Sequence, residues 1–137
     1  AADATMQGIK GWIEANPTRR QELFNANPSY IFFREERLPD PRVGPKGALG
    51  VPLTPGRSVA IDPKFIPLGA PIFLSTTEAA SEVPMQRLMM AQDTGGAIRG
   101  EVRADFFYGF GSEAGDKAGR MKQRGQVWVL MPRKTVQ

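Results

Sequence analysis

Apolar residues recur every three or four positions in the first part of the chain. They are Met6, Ile9, Trp12 and Ile13. This spacing is typical of one face of a helix, so we predict a helix over residues 5–15 with Thr5 as its amino-terminal cap.

Two further helices are predicted by the same signals. Thr18 is a candidate cap for a short helix over residues 19–26, which ends before Pro28 because the residue preceding a proline disfavours helical geometry. Near the other end, Ala114, Ala118 and Met121 share one helical face, which predicts a helix over residues 111–121 with Ser112 as its cap.

Short apolar and β-branched runs, bounded by Pro and Gly, predict the strands. They cover residues 30–34, 57–62, 71–74, 87–92, 102–107 and 126–131. A Pro- and Gly-rich stretch over residues 38–56 predicts a long surface loop, and residues 75–84 a hairpin excursion. Many short strands with few helices favour a mainly β fold with short helices, arranged as a small barrel.

Length and composition fit one soluble domain. The chain has 137 residues and 41% hydrophobic content, enough for a single core. We predict a helical lead-in over residues 5–27 and a barrel over residues 30–132. No apolar run is long enough to span a membrane, and the opening residues AADATMQG do not form a signal peptide.

The sequence contains no Cys and no His. This excludes a Cys nucleophile, a Ser-His-Asp triad, Cys/His zinc sites and imidazole acid-base chemistry. The acidic residues form neither an EF-hand pattern nor a tight cluster, so we expect no metal and no cofactor. Carboxylates are therefore the candidate catalytic groups.

Net charge favours an anionic partner. The chain carries 18 Lys and Arg against 14 Asp and Glu, a net charge of +4. Nucleic acid and an acidic cell-wall polymer both meet this requirement.

Two aspartates stand out in the stretch AQDTGGAIRGEVRADFFYGFG, which runs from residue 91 to 111. Asp93 precedes a Gly-Gly pair, and Asp105 precedes a group of aromatic residues. We expect water to be scarce beside those aromatic residues, and desolvation raises the pKa of a carboxyl group. A carboxyl group that keeps its proton near neutral pH is a candidate general acid.

Several ordered motifs together resemble the membrane-bound lytic transglycosylase A family. They are GVPLTPGRSVAIDP, IPLGAP, AQDTGGAIRG, ADFFYGFG and EAGDKAGRM, and the resemblance extends to MQGIKGWIEANP and NPSYIFFR near the start of the chain. The second half is also similar to the 3D domain, which is named for three aspartates. The matching residues are Asp62, Asp93 and Asp105.

The resemblance implies a double-psi β-barrel that cleaves the glycan strands of peptidoglycan. The family breaks the β-1,4 bond between N-acetylmuramic acid and N-acetylglucosamine and leaves a 1,6-anhydro muramoyl end. It further implies that Asp105 is the single catalytic acid and base, and that Asp93 supports it.

The resemblance also implies a longer protein. Family members carry upstream strands that complete the barrel, an inserted β-domain that forms the other wall of the groove, and a lipoprotein cysteine. We expect this chain to begin where the insert ends, so that an upstream chain or segment is a required partner. A periplasmic location at the outer membrane is implied for the full-length family, and no anchor is expected within this chain.

The residues themselves leave two interpretations of Asp93 open. It is either the second carboxylate of a pair, or an acceptor for backbone N–H groups of the Gly95-Gly96 turn. We favour a mixed role near the site, where its charge would also raise the pKa of Asp105. Asp62, before Pro63, is favoured as a turn acceptor at the border of the groove.

The remaining candidates for substrate binding lie around the two aspartates. Thr54, Arg57 and Ser58 stand at a loop-to-strand junction, where they either line a groove or cap the local turn. Tyr108 is favoured as a sugar-facing residue whose ring packs on a pyranose while its hydroxyl stays hydrated. The two tryptophans, Trp12 and Trp128, are expected in the core.

Two other functions remain as alternatives at this point. The first is a glycoside hydrolase that uses Asp93 and Asp105 as a carboxylate pair. The second is a non-catalytic module that binds an anionic glycan or nucleic acid, supported only by the basic charge and the Pro- and Gly-rich loop. With the family resemblance in view, nucleic acid is not the expected partner.

Overall fold

The computed structural model describes residues 5–29, 32, 35–38, 40 and 42–133. The chain divides into two compact units, with the boundary in the sequence between Arg37 and Leu38. The first unit contains helix α1 (Met6–Ala15), a 3-10 turn (Pro17–Arg19) and helix α2 (Arg20–Asn25). The Thr5 hydroxyl accepts the Gly8 N–H at 3.1 Å, which confirms the predicted cap of α1. The strand predicted over residues 30–34 lies, apart from Phe32, outside the described residues.

The second unit is built on one five-stranded sheet. Its strands are β1 (Ser58–Ile61), β2 (Pro71–Thr77), β3 (Pro84–Asp93), β4 (Ala104–Phe106) and β5 (Gln126–Val129), in the order β4-β1-β3-β2-β5. Strand β1 is parallel to β3, and the other neighbours are antiparallel. Helix α3 (Ser112–Arg120) connects β4 to β5.

One face of this sheet carries the hydrophobic core. Ile72 and Leu74 on β2 alternate with outward-facing residues, as do Met85 and Met89 on β3, because successive side chains of a strand point to opposite faces. Val59 and Ile61 of β1 lie in the same core. Strand β1 is buried along its whole length, since all four residues are buried.

The chain crosses over the end of β1 between β3 and β4. These two strands lie on either side of β1 and run in opposite directions, so residues 94–103 pass over the carboxyl end of β1. This crossover loop connects the two strands that carry Asp93 and Asp105.

The predicted fold class, mainly β with short helices in an incomplete barrel, is confirmed by the half-barrel that the described residues form. Element boundaries differ where pairing extends or shortens a strand: β2 and β3 are longer than predicted, whereas β4 spans only Ala104–Phe106. The predicted caps of the later helices are wrong. The residues preceding α2 and α3 are Arg19 and Gly111, and neither forms a side-chain cap.

Trp128 is not in the core, contrary to the expectation from sequence. Its neighbours Val127 and Val129 point toward the core, so Trp128 points to the opposite face. There it is 47% exposed, with its ring 5.9 Å from that of Phe73 on the adjacent strand.

The described part of the long loop over residues 38–56 has neither helix nor strand, in agreement with the prediction. It nevertheless packs closely on β3. The Leu49 N–H donates to the Gln92 carbonyl at 3.1 Å, and Leu53 is buried. Gly47 lies where the loop meets the strand, and a Cβ there would overlap the Gln92 carbonyl oxygen.

We expect Gly47→Ala to destabilise the second unit by about 1–3 kcal/mol, the usual cost of inserting a methyl group into a filled site. Urea unfolding measures this change. Gly96→Ala is the matched control, because a Cβ at Gly96 meets nothing within 4 Å. Equal stabilities of the two variants would contradict the close packing of the loop on β3.

Candidate functional site

Asp93 and Asp105 flank the same residue of the buried strand. Ala60 of β1 is paired with Asp93 on β3 and with Asp105 on β4. Since adjacent strands are about 4.8 Å apart, the two aspartate backbones are separated by about 10 Å. The sheet therefore brings the two predicted carboxylates to one site.

An irregularity in β3 determines which face Asp93 occupies. Val59 pairs with Ala91, but the next residue, Ala60, pairs with Asp93 instead of Gln92. Without this bulge at Gln92, Asp93 would pair with Ile61 and point toward the core, because a shift of one residue moves a side chain to the other face. The bulge thus places both aspartates on the face of Ala60, opposite the core.

A pocket of about 180 Å³ lies on this face. Its lining includes both aspartates together with Leu53, Ala60 and Phe107. Leu53 belongs to the long loop, so that loop forms one border of the pocket. The site consists of two carboxylates above an apolar floor.

Asp105 is held by a neighbouring arginine. Arg103 Nε lies 2.9 Å from Asp105 Oδ1, and Arg103 Nη2 lies 3.1 Å from Oδ2. The two residues share a face because they are two positions apart on an extended chain. This bidentate bond raises the pKa of Arg103 above its ordinary value, first through the hydrogen bond and then through the charge of Asp105.

The predicted surroundings of Asp105 are therefore wrong in one respect. Its side chain is 44% exposed, so the aromatic residues that follow it do not remove it from water. Phe106 points toward the core, where it packs against β1, while Asp105 points the other way.

Asp93 is fixed by the long loop. Its Oδ1 accepts the Ala48 N–H at 2.9 Å. The donor is Ala48 and not the predicted Gly95-Gly96 turn, because the loop over residues 47–50 packs on the end of β3. In that turn Gly95 instead accepts from the Ile98 N–H at 3.0 Å, and Gly96 is exposed.

Asp62 forms a hydrogen bond to the crossover loop through the Gly100 N–H. It is 2% exposed, and its two carboxylate oxygens accept the N–H groups of Lys64 and Gly100, each at 3.1 Å. These bonds, led by that of Gly100, lower the pKa of Asp62, and its burial opposes the shift. The arrangement agrees with the predicted turn acceptor.

Thr54, Arg57 and Ser58 form a tight turn before β1. The Thr54 carbonyl accepts the Arg57 and Ser58 N–H groups at 3.0 and 3.1 Å. Ser58 is fully buried; its hydroxyl accepts the Thr54 N–H at 2.8 Å and donates to Gln92 Oε1. This is the local capping alternative, while Thr54 and Arg57 remain exposed beside the turn.

Tyr108 lies in a larger pocket of about 420 Å³ that Asp105 also borders. Its ring is 4.5 Å from that of Phe106. Its hydroxyl is buried and has no hydrogen-bond partner among the described residues, so the expectation of a hydrated hydroxyl is wrong. Burial, and next the charge of Glu78, raises the pKa of Tyr108. The pocket is also lined by Leu74 and Val127.

Three features of the site were not predicted from the sequence. They are the Arg103–Asp105 ion pair, the Ala48–Asp93 bond and the bulge at Gln92. The first had a local signal, since residues at i and i+2 share a face of a strand. The other two join segments distant in sequence and had none.

No group of three acidic, His or Cys side chains that could hold a metal ion occurs among the described residues. Within the same ranges, the helices are too short and too polar to cross a membrane.

Comparison with protein families gives two matches. Residues 57–131 match the 3D domain, and residues 1–34 match the MltA specific insert domain. The expectation that the chain begins where the insert ends is therefore wrong, because the first 34 residues already match the insert family.

The chain is similar to named enzymes and solved structures. It is 36% identical to the membrane-bound lytic murein transglycosylase A of Vibrio cholerae serotype O1, over 92% of this chain and 34% of that protein. The crystal structure of MltA from Neisseria gonorrhoeae in its monoclinic form shares 48% identity at a TM-score of 0.82, covering 96% of this chain and 33% of the other.

A third similar structure is Escherichia coli MltA with bound chitohexaose. It shares 34% identity at a TM-score of 0.75 and covers 91% of this chain and 38% of the other. The chain spans about a third of the length of the curated relatives that it matches.

The bonds of Asp62 predict a pH-dependent contribution to stability. Because the pKa of Asp62 is lower in the folded chain than in the unfolded chain, its stabilisation is complete above the ordinary Asp pKa of about 4. It is lost as the pH falls through the lower folded value.

We therefore expect Asp62→Asn to lower the melting temperature by several degrees at pH 7, and by less as the pH falls below about 4. Thermal unfolding followed by circular dichroism at pH 3 to 7 measures this. Asp116→Asn, at an exposed site on α3, is the control and should follow the unmodified chain. A loss of stability in Asp62→Asn that does not depend on pH would refute the role of the carboxylate charge.

Proposed function

Because this chain belongs to the membrane-bound lytic murein transglycosylase A family and contains its 3D domain, we propose that it supplies the catalytic carboxylates that cleave peptidoglycan glycan strands. The observation that carries the proposal is the position of Asp93 and Asp105 on either side of Ala60, above one pocket. Both residues lie within the 3D-domain match.

The proposed reaction uses Asp105 twice. As an acid it protonates the glycosidic oxygen between N-acetylmuramic acid and N-acetylglucosamine, and the bond from that oxygen to C1 breaks. The C6 hydroxyl of the muramoyl sugar then attacks C1, and the Asp105 carboxylate removes its proton. The product is a 1,6-anhydro ring, and Asp105 regains the proton that it gave.

Asp93 is proposed to support this reaction without exchanging a proton. Its carboxylate is fixed by the Ala48 N–H and lies across Ala60 from Asp105. A negative charge at that position would stabilise the positive charge that develops at C1 in the transition state.

The other residues predicted to bind substrate form an exposed group and a buried group around the pocket. Thr54, Arg57 and Gly96 are exposed and are proposed to contact sugar. Ser58 and Asp62 are buried, and Gly95 turns the crossover loop, so we propose that these three hold the site in place. Tyr108 is proposed to act through its ring in the larger pocket.

A glycan is the proposed ligand, and one related structure contains chitohexaose. The larger pocket, lined partly by Leu74, Phe106 and Val127, exposes apolar surface beside Asp105. We propose that an upstream segment covers it and completes both barrel and groove. Since the relatives are named membrane-bound, we further propose that the whole protein acts in the periplasm at the outer membrane.

The two-carboxylate hydrolase remains the second candidate. Asp93 and Asp105 line the same pocket, and a pair of carboxylates at one site is what a conventional glycosidase uses. In that reaction Asp93 would activate the water, and the product would be a hydrated reducing end.

We expect Asp105→Asn to reduce cleavage of purified murein by a factor of about 10² to 10⁴ or more, because an amide cannot donate and recover the proton. The assay follows release of soluble fragments by the whole protein, and circular dichroism checks the fold. Asp116→Asn, on the exposed surface of α3, is the matched control. Full turnover by Asp105→Asn would rule out the assignment.

The products distinguish the two candidates. Mass spectrometry should detect anhydro muramoyl ends, which are lighter by one water than hydrolysis products. Hydrated reducing ends would instead establish the two-carboxylate hydrolase.

A further inference from the structure

The Arg103 guanidinium holds three oxygen atoms of the site. Two belong to the Asp105 carboxylate, at 2.9 and 3.1 Å, and the third is the Ala97 carbonyl, at 2.8 Å from Nη1. Arg103 therefore connects the proposed acid to the crossover loop. The proposed reaction assigns Arg103 no role.

This pair conflicts with the first step of that reaction. A guanidinium that donates to both carboxylate oxygens favours the ionised form, whereas protonation of the glycosidic oxygen needs the neutral acid. The bonded pair resembles the state needed in the second step, in which the Asp105 carboxylate removes the proton of the C6 hydroxyl. A change at Arg103 must therefore accompany the first step.

We propose that Arg103 is a positioning residue that holds both carboxylate oxygens of Asp105 in the empty groove and releases them when a carboxylate of the muramoyl glycan takes their place on the guanidinium. This inference rests on the proposed function. It makes the substrate's own carboxylate the signal that frees Asp105 for the first step.

The geometry permits such an exchange. The side chains of Arg103 and Asp105 are 48% and 44% exposed, and an ion pair in contact with water contributes little to stability. The planar guanidinium binds any carboxylate in the same bidentate way. A muramoyl sugar carries a lactyl group whose carboxylate is free or linked to a peptide with its own carboxylates, whereas N-acetylglucosamine carries none.

Two other charged groups line a pocket together with Asp105 in the described residues. Asp93 lies across Ala60 on β3, and Lys122, after α3, lines the larger pocket together with Arg103 and Asp105. Once Arg103 has turned to the ligand, the Asp93 charge favours a proton on Asp105, and the Lys122 charge opposes it. Among these groups, Arg103 alone is bonded to Asp105 in the structure.

Nuclear magnetic resonance of the Asp105 side-chain carboxyl carbon tests the ionic part of the inference without an activity assay. In Arg103→Ala we expect the Asp105 titration midpoint to rise, because the hydrogen bonds and charge that raise the pKa of Arg103 act equally in favour of the Asp105 carboxylate. Arg103→Lys should give a smaller rise in the midpoint, because lysine keeps the positive charge but lacks the planar pair of N–H donors that binds both carboxylate oxygens.

Arg99→Ala is the matched control. Arg99 lies on the same crossover loop and also donates to a loop carbonyl, that of Gly95 at 3.3 Å. Its loss should leave the Asp105 midpoint unchanged. If the only role of Arg103 is to hold the crossover loop through the Ala97 carbonyl, the Asp105 midpoint will be the same in Arg103→Ala, in Arg103→Lys and in the unmodified chain. That result would refute the inference.

Ligand addition tests the exchange. N-acetylmuramic acid should raise the Asp105 midpoint in the unmodified chain and not in Arg103→Ala, whereas N-acetylglucosamine should have no effect. An equal response to both sugars would refute the exchange. If these shifts occur but the whole protein leaves murein uncut, the Arg103 inference is supported and the proposed function fails.

Discussion

The pairing of the buried strand β1 with β3 and β4 determines the rest of the site. All four residues of β1 are buried, and the strand supplies Val59 and Ile61 to the core on one face and Ala60 to the pocket on the other. Because side chains alternate, the register that fills the core also selects which side chains reach the pocket. Only with the bulge at Gln92 do both Asp93 and Asp105 meet at Ala60.

Polar contacts hold the loops that this pairing brings together. Buried Asp62 accepts two backbone N–H groups beneath the crossover loop, and Asp93 accepts a third from the long loop. Each bond satisfies a backbone donor where the loop leaves regular pairing. The three aspartates singled out by the sequence motifs thus differ in their surroundings: Asp62 is buried among backbone N–H groups, and the other two lie at the pocket.

The surroundings of Asp93 and Asp105 are unequal, which matters for the proposed chemistry. Asp93 accepts a backbone N–H, whereas Asp105 is bonded to a cation through both oxygens. Two carboxylates with different hydrogen-bond partners at one site can take different roles in a reaction. Arg103 occupies both carboxylate oxygens of Asp105, so Asp105 makes a contact that Asp93 lacks.

The sequence by itself determined the element types, the fold class and the two aspartates. Spacing, proline and glycine signals are local, so α1, α2, α3 and the paired strands were found, with errors of a few residues at their ends. The ordered series of motifs from Gly50 to Met121, together with the segments near the start of the chain, indicated the family. Trp128 was misplaced because an apolar run does not reveal which of its alternating residues faces the core.

Only the tertiary structure decided how the two aspartates are presented. The bulge at Gln92 arises from pairing between β1 and β3, and the donor to Asp93 comes from Ala48, which is 45 residues away in the chain. Tertiary packing also left the Asp105 side chain partly exposed and in an ion pair with Arg103, and it buried the Tyr108 hydroxyl. Register, burial and long-range hydrogen bonds depend on which segments pack together, and no local pattern of residues encodes that.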